Sequence, residues 1–280
     1  MLEIFFDSVI DTIKLLPYLF ITFIVLEFLE HKLNNKNQQL LSKSQKLGPL
    51  IGGVLGGFPQ CGFSVVASRL FSSRVITVGT LIAVFLATSD EMIPIMISEK
   101  VNILLILKII GFKVLVGVIF GFIIDFIYKR NDYNKLEKIK NECEESNCHC
   151  NEKGIILSSI IHTFKIGLFI LIANLIIGLI IEFVGEEKLA NILLEKNILT
   201  YFLSSLIGLI PNCSSSVIIT ELYLSNLITV GTMMSGLLTG SGLGILLLFK
   251  TNKNRKENLF ILSIIYFTGV LIGIIIDLII

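Results

Sequence analysis

The sequence predicts an all-α polytopic membrane protein made of two inverted repeats, and three observations support that prediction. Hydrophobic residues make up 54% of the 280 residues and charged residues only 16%, whereas a soluble domain carries roughly 25% charge. Apolar stretches long enough to cross roughly 30 Å of hydrocarbon recur along the chain. The second half of the chain also repeats the first. The net charge of +1 gives no global field that would recruit nucleic acid.

Six apolar stretches are long enough to span a membrane, and two others are interrupted. The interrupted stretches, 47–72 and 198–225, are broken by glycine and proline near Pro59 and Pro211. Because proline removes a backbone donor, and lipid offers the freed groups no partner, we expect two re-entrant or broken-helix hairpins. A kinked full span is the alternative. Each repeat then has three full spans plus a hairpin, which gives about ten helical segments. The uninterrupted stretches are 5–29, 75–97, 102–128, 155–183, 227–249 and 258–280.

Basic residues indicate which side of the membrane each loop occupies. They cluster after the first span, in a central linker and before the last span, and cytoplasmic loops carry an excess of such residues. All three clusters fall on one side only if each half makes an odd number of net crossings, which the hairpins permit. We therefore expect repeat I at 1–128, a cytoplasmic linker at 129–154 and the inverted repeat II at 155–280, in a multi-pass protein of the cell (inner or plasma) membrane. The clusters are Lys32, Lys36, Lys43 and Lys46; Lys129, Arg130, Lys135, Lys138, Lys140 and Lys153; and Lys250, Lys253, Arg255 and Lys256.

The internal repeat has a constant offset of 152 residues, from Gly56–Tyr128 onto Gly208–Ile280. About 25 aligned pairs are identical, where roughly a tenth of the pairs would match by chance. The segment Ile76–Thr80, for example, recurs as Ile228–Thr232. Inverted repeats with discontinuous helices are typical of secondary transporters, whose binding sites lie near the bilayer midplane. The alternative is an old duplication that only supports a scaffold.

Both interrupted stretches contain the pattern Pro-x-Cys-x-x-Ser. A half-helix that starts after the proline presents unpaired N–H groups and the positive end of its dipole. Such a position lowers the pKa of a thiol, and two thiols that face one cavity suit thiophilic species such as trivalent arsenic. Cysteine as a small packing residue is the alternative. The predicted substrate-binding residues are Cys61, Cys213, Pro59, Pro211, Ser64, Ser216, Gln60, Asn212, Thr88, Ser89 and Ser241.

Two adjacent carboxylates, Asp90 and Glu91, lie in the middle of the span 75–97. Ionisable residues within a membrane are costly and usually mark an ion or proton pathway. The second repeat has Gly242 and Leu243 at these positions, so only one copy keeps the acids, and the glycine-rich copy is expected to unwind. We therefore predict that Asp90 or Glu91 binds a cation or exchanges a proton. A structural ion pair is the alternative, with Lys113, Lys108, Lys14 or Lys165 as the partner.

The central linker is rich in soft metal ligands. Three cysteines and a histidine fall within eight residues, and thiols on the cytoplasmic side stay reduced. Their spacing fits no standard zinc fold. Transient metal binding in this loop is one prediction, and a solvated charged linker is the other. The residues concerned are Cys143, Cys148, His149 and Cys150.

At these motifs the chain resembles the ten-helix heavy-metal exporter family, also labelled arsenic efflux protein or manganese transporter. The resemblance covers nearly the whole chain, and the Pro-x-Cys element is also similar to that of organoarsenical permeases. It implies efflux of a metal or metalloid. The matching segments are Gly57–Ser64, Ala87–Glu91, Cys148–Cys150 and Ile210–Ser216.

Residues and resemblance together predict a secondary-active exporter of a heavy metal or metalloid. An arsenite-like species is favoured as substrate, with proton coupling and alternating access of the two halves. A transporter of Mn²⁺ or another divalent cation is the first alternative, because carboxylates suit hard ions. A passive channel or an intramembrane enzyme is the second. We expect no enzymatic activity, no cofactor and no nucleic-acid partner; the expected partners are the transported ion and the lipid bilayer.

Overall fold

The computed structural model describes residues 47–58, 61–89, 92–128, 155–184 and 198–279, together with isolated positions before residue 25 and Leu193. Within these ranges the chain is helical and contains no strand, which confirms the all-α class. The remainder of the predicted first span and the linker 129–154 lie outside the described residues. The helices in the described ranges are α1 Gly48–Gly56, α2 Cys61–Ser72, α3 Val78–Ala87, α4 Met92–Ser98, α5 Ile103–Ile127, α6 Ile155–Val184, α7 Ile198–Gly208, α8 Cys213–Leu224, α9 Val230–Thr239, α10 Gly244–Thr251 and α11 Arg255–Ile279.

The helix bounds recur with the same offset as the sequence. Helices α8, α9 and α11 begin and end 152 residues after α2, α3 and α5, and α10 begins 152 residues after α4. Helix packing recurs as well, because α3 packs against α1 and α5 just as α9 packs against α7 and α11. Residues that are identical in both halves therefore sit in equivalent local structures.

Two of the predicted uninterrupted spans are broken. The stretch 75–97 divides into α3 and α4, and the stretch 227–249 divides into α9 and α10. Thr88 has a ψ of 129° and Gly240 a ψ of 82°, neither of which continues an α-helix; Gly242 has a positive φ of 53°. Five of the six predicted uninterrupted stretches are candidate spans, but these two are discontinuous helices, and the predicted unwinding of the glycine-rich copy is present. Val78–Ser98 and Val230–Thr251 are still each long and apolar enough to cross a membrane.

A carboxylate from a neighbouring helix caps the N-terminus of α3. The Asp125 carboxylate accepts hydrogen bonds from Thr77 Oγ1 at 2.6 Å and from the Gly79 backbone N–H at 2.8 Å. Thr77 Oγ1 in turn accepts from the Thr80 N–H at 3.1 Å. These bonds satisfy N–H groups that the first turn of a helix leaves unpaired. The cap explains why the Thr-Val-Gly-Thr sequence and the distant aspartate occur together.

The same cap is built at α9 from the repeated residues. Asp277 accepts hydrogen bonds from Thr229 Oγ1 and, at 2.8 Å, from the Gly231 N–H. Thr229 Oγ1 accepts from the Thr232 N–H at 3.1 Å. Because both aspartates serve a helix cap, their presence in both repeats has a structural reason.

Helices α3 and α9 form the centre of the molecule. In the spans that contain them, 75% and 83% of the most apolar window is buried, compared with 28% and 33% in α5 and α11. The outer helices instead carry exposed apolar side chains such as Phe126 and Leu278. Exposed apolar surface of this extent suits contact with lipid. The described residues thus contain five helical segments of spanning length, and the protein is a polytopic membrane protein.

The two halves contact each other through pairs of short helices. Helix α2 packs against α10, and α4 packs against α8. Ser68 Oγ donates to the Gly244 carbonyl at 2.7 Å, and the Ser72 and Thr251 hydroxyls lie 2.6 Å apart. At the same end, Arg74 forms a 3.0 Å ion pair with Glu257, which is almost fully buried. The interface is therefore polar as well as apolar.

Candidate functional site

A small cavity lies where the helix breaks of the two halves meet. Its lining comes from the α3–α4 break, the middle of α5, the start of α8 and the α9–α10 break. Most of the lining side chains carry hydroxyl, amide or ammonium groups. The cavity is therefore polar, although 54% of the residues in the chain are hydrophobic. The lining residues are Thr88, Ser89, Met92, Lys113, Asn212, Ser215, Ser216, Leu237, Gly240 and Gly242.

The α3–α4 break supplies two buried hydroxyl residues. Thr88 is 1% exposed and Ser89 2% exposed. Thr88 Oγ1 donates to the Val84 carbonyl at 2.7 Å, and Ser89 Oγ donates to the Ala87 carbonyl at 3.1 Å. Both bonds point back into the last turn of α3. The hydroxyl oxygens keep lone pairs that a ligand in the cavity would meet.

The start of α8 supplies a polar helix N-terminus. Asn212 is its N-cap, and the Asn212 side chain accepts from the Ser214 N–H at 3.4 Å. Ser215 Oγ donates to the Asn212 carbonyl at 2.9 Å. Pro211 is half-buried and directly precedes this cap. The half-helix that was predicted to start after the proline is present, with Asn212 and Ser216 on the cavity wall.

Two predicted site residues lie beside the cavity without lining it. Ser241 is fully buried, and its Oγ donates to the Thr239 carbonyl at 3.3 Å. Ser64 is fully buried against α10, where a Cβ added to Gly244 would lie 2.8 Å from the Ser64 carbonyl oxygen. The close approach of α2 and α10 therefore depends on the glycine. In this conformation Ser64 belongs to the interface between the halves.

Lys113 is a site residue that the sequence prediction did not include. Its side chain is 1% exposed in the middle of α5. Lys113 Nζ donates to the Thr88 carbonyl and, at 2.8 Å, to the Leu237 carbonyl. A lysine in the middle of an apolar span signals such a residue, although the sequence prediction includes Lys113 only as one of four possible ion-pair partners of the acids. Lys108, on the same helix, is exposed.

Other predicted site residues lie outside the described part of the chain. Cys61 and Cys213 begin α2 and α8, but their side chains are not described. Within the described ranges, no group of three or more His, Cys, Asp or Glu side chains could hold a metal ion. The predicted residues that lie wholly outside are Pro59, Gln60, Asp90, Glu91, Cys143, Cys148, His149 and Cys150.

The fold is that of a polytopic membrane protein, and discontinuous helices around a polar cavity are typical of membrane transporters. Residues 1–187 match the family model described as "Putative, 10TM heavy-metal exporter", so the chain belongs to that family of heavy-metal exporters. The resemblance read from the motifs is thereby confirmed. No curated protein and no solved structure matches the chain.

Proposed function

We propose that the protein is a secondary-active transporter that exports a heavy metal or metalloid by alternating access of two inverted halves. The observation that carries the proposal is the cavity, because its wall combines helix breaks from both halves. Substrate sites of repeat-built transporters lie at such breaks, between the repeats. We place the protein in the cell membrane with the linker 129–154 on the cytoplasmic side, as the basic clusters predict.

The inverted orientation is supported by a contact between the ends of equivalent helices. Tyr128, which directly follows α5, stacks on Phe260 near the start of α11, with ring centroids 5.3 Å apart. A helix of 25 residues is about 38 Å long. If α5 and α11 ran in the same direction across the membrane, these rings would lie on opposite sides. The contact therefore favours an antiparallel pair of repeats.

The ion pair between Arg74 and Glu257 supports the same orientation. Arg74 follows α2, which ends repeat I's hairpin, whereas Glu257 follows the α9–α10 crossing of repeat II. If both repeats ran in the same direction, the end of the hairpin in repeat I would lie on one face of the membrane. The end of the α9–α10 crossing in repeat II would lie on the other face. Their contact at 3.0 Å is expected only when one repeat is inverted.

The proposed substrate contacts come from the starts of α2 and α8. Cys61 and Cys213 would bind a thiophilic species such as arsenite, and the backbone N–H groups of each half-helix start would favour an oxygen or a thiolate there. Asn212 and Ser216, which line the cavity, would add polar contacts. This chemistry favours an arsenite-like substrate over a hard cation.

Proton coupling is assigned to Asp90 or Glu91. These two residues join Ser89 to Met92, and both of those neighbours line the cavity. A carboxylate at that point of the chain would exchange a proton as the cavity changes its access.

Export of Mn²⁺ is the second candidate, and a specific observation favours it. The described polar groups of the cavity wall present mainly oxygen atoms, from Thr88, Ser89, Asn212, Ser215 and Ser216. Hydroxyl, carbonyl and carboxylate oxygens are the ligands that Mn²⁺ prefers. A transport assay that compares arsenite, which needs the thiols, with Mn²⁺, which needs oxygen ligands, decides between the two candidates.

The test is uptake of arsenite and of Mn²⁺ into everted membrane vesicles, with and without a proton gradient. The proposal expects gradient-driven accumulation of arsenite by the wild type, none by the double variant Asp90→Asn/Glu91→Gln, and none by at least one of the two single variants. Glu99→Gln is the matched control, because Glu99 is an exposed acid at the end of the same broken span. Accumulation that ignores the gradient would contradict the coupling, and a flux of neither species would contradict the function.

A further inference from the structure

Lys113 places an ammonium group between the ends of two broken helices. The side chain is 1% exposed, and Nζ donates to the backbone carbonyls of Thr88 and Leu237, the second at 2.8 Å. One carbonyl belongs to repeat I and the other to repeat II. The ammonium therefore bridges the halves at the level of their breaks.

Both carbonyls lie at the C-terminal end of a helix. Thr88 is the C-cap of α3, and Leu237 lies in the last turn of α9. The final carbonyl groups of a helix lack intrahelical partners and form the negative end of its dipole, so this position favours a cation. The C-terminal ends of discontinuous helices can coordinate Na⁺ for this reason. The two helix ends thus form a cation-binding arrangement that Lys113 itself occupies.

Further oxygen atoms belong to residues that line the same cavity. Ser89, Ser215 and Asn212 line the cavity together with Lys113. Hard cations prefer such neutral and anionic oxygen ligands over nitrogen or sulfur. A small cation that replaced the ammonium would meet the Thr88 and Leu237 carbonyl oxygens in a cavity lined by further oxygen-bearing residues.

Packing alone does not account for a lysine here. The equivalent residue of repeat II is Ile265, which is fully buried in α11. A branched apolar side chain therefore fills the matching position in the other half. An ionised group inside a membrane protein is costly and is usually retained for function.

We propose that the Lys113 ammonium is the tethered occupant of a site for a small monovalent cation, of which Na⁺ is the representative. Removal of the ammonium opens the carbonyl oxygens of Thr88 and Leu237 to the free ion. The lysine thereby makes the wild-type protein independent of sodium. This inference concerns cation binding and holds whichever substrate the protein exports.

The experiment measures binding of ²²Na⁺ to the purified full-length protein in sodium-free buffer with N-methyl-D-glucamine. The variants Lys113→Met and Lys113→Gln remove the charge, and the glutamine amide still donates to one carbonyl. Lys113→Arg keeps the charge. Lys108→Met is the matched control, because it removes an exposed lysine from the same helix.

We expect saturable binding of one sodium ion per chain by both neutral variants and none by the wild type, Lys113→Arg or Lys108→Met. Added NaCl should also raise the Tm of the neutral variants alone, since a ligand that binds only the folded state stabilises it. Folded neutral variants that bind no sodium would overturn the proposal, as would equal binding by Lys108→Met. Neutral variants that stay unfolded even when purified in NaCl would also overturn it. A wild-type protein that exports no metal would leave all these expectations unchanged.

Discussion

Substitution of Gly121 by alanine should loosen the packing between α5 and α3. A Cβ at this position would lie 2.7 Å from the Gly79 carbonyl oxygen, 2.9 Å from Pro49 Cβ and 3.0 Å from Ala83 Cβ. None of these atoms can rotate away, because one is backbone and the other two are fixed to it. The shortest contact falls about 0.8 Å below the roughly 3.5 Å of a favourable contact. The helices must therefore separate.

The expected cost follows from two opposing effects. Overpacking of a close contact costs about 1–3 kcal/mol, and replacing a helical glycine by alanine returns about 0.5–1 kcal/mol. The Gly121→Ala variant should lose up to about 2.5 kcal/mol, which lowers Tm by up to about 5–10 °C at 2–4 °C per kcal/mol. Gly111→Ala is the matched control, because a Cβ at Gly111 would meet no atom within 4 Å. That variant should gain up to about 1 kcal/mol.

The assay is thermal unfolding of both variants in detergent, followed by the loss of monodisperse protein with temperature. Gly273→Ala in repeat II should behave like Gly121→Ala, because its Cβ would lie 2.6 Å from the Gly231 carbonyl oxygen. Equal Tm values for Gly121→Ala and Gly111→Ala would refute the close packing of α3 and α5.

Three further predictions concern the cap, the interface and the thiols. Asp125→Ala should cost about 1–3 kcal/mol in thermal unfolding, because it leaves the Gly79 N–H and the Thr77 hydroxyl without this acceptor; an unchanged Tm would contradict the cap. Arg74→Ala should cost about 1–3 kcal/mol, since the buried Glu257 would lose the Arg74 guanidinium, and combining it with Glu257→Gln should recover part of that loss. Cys61→Ser and Cys213→Ser should each reduce arsenite export while Mn²⁺ flux and membrane abundance stay unchanged, and equal arsenite export would remove the thiols from the site.

The sequence predicted most of the architecture because the membrane leaves few alternatives. Backbone groups in lipid must be paired, so apolar length locates the helices and the prolines locate the breaks between them. The repeat then made each half a check on the other, and the start of α8 after Pro211 lies where the Pro-x-Cys pattern placed it.

The remaining features depend on contacts between distant residues. A hydropathy pattern does not distinguish a straight crossing from one that breaks at Thr88, because both sides of the break are apolar. The pairing of Asp125 with Thr77 joins residues 48 positions apart, which spacing alone could not identify. Lys113 and Lys108 look alike in the sequence, and only the packing of α5 reveals which of them enters the cavity.

Cross-linking of Tyr128→Cys to Phe260→Cys, in a background without other cysteines, tests the inverted pairing of the halves most directly. With a short bifunctional reagent in intact membranes, we expect efficient intramolecular cross-linking of this pair, because the two rings are stacked. Tyr128→Cys paired with Ile279→Cys, near the other end of α11, should not react, because a helix rises about 28 Å between Phe260 and Ile279. Cross-linking of the Ile279 pair in place of the Phe260 pair would mean that both halves run in the same direction, and would contradict the account.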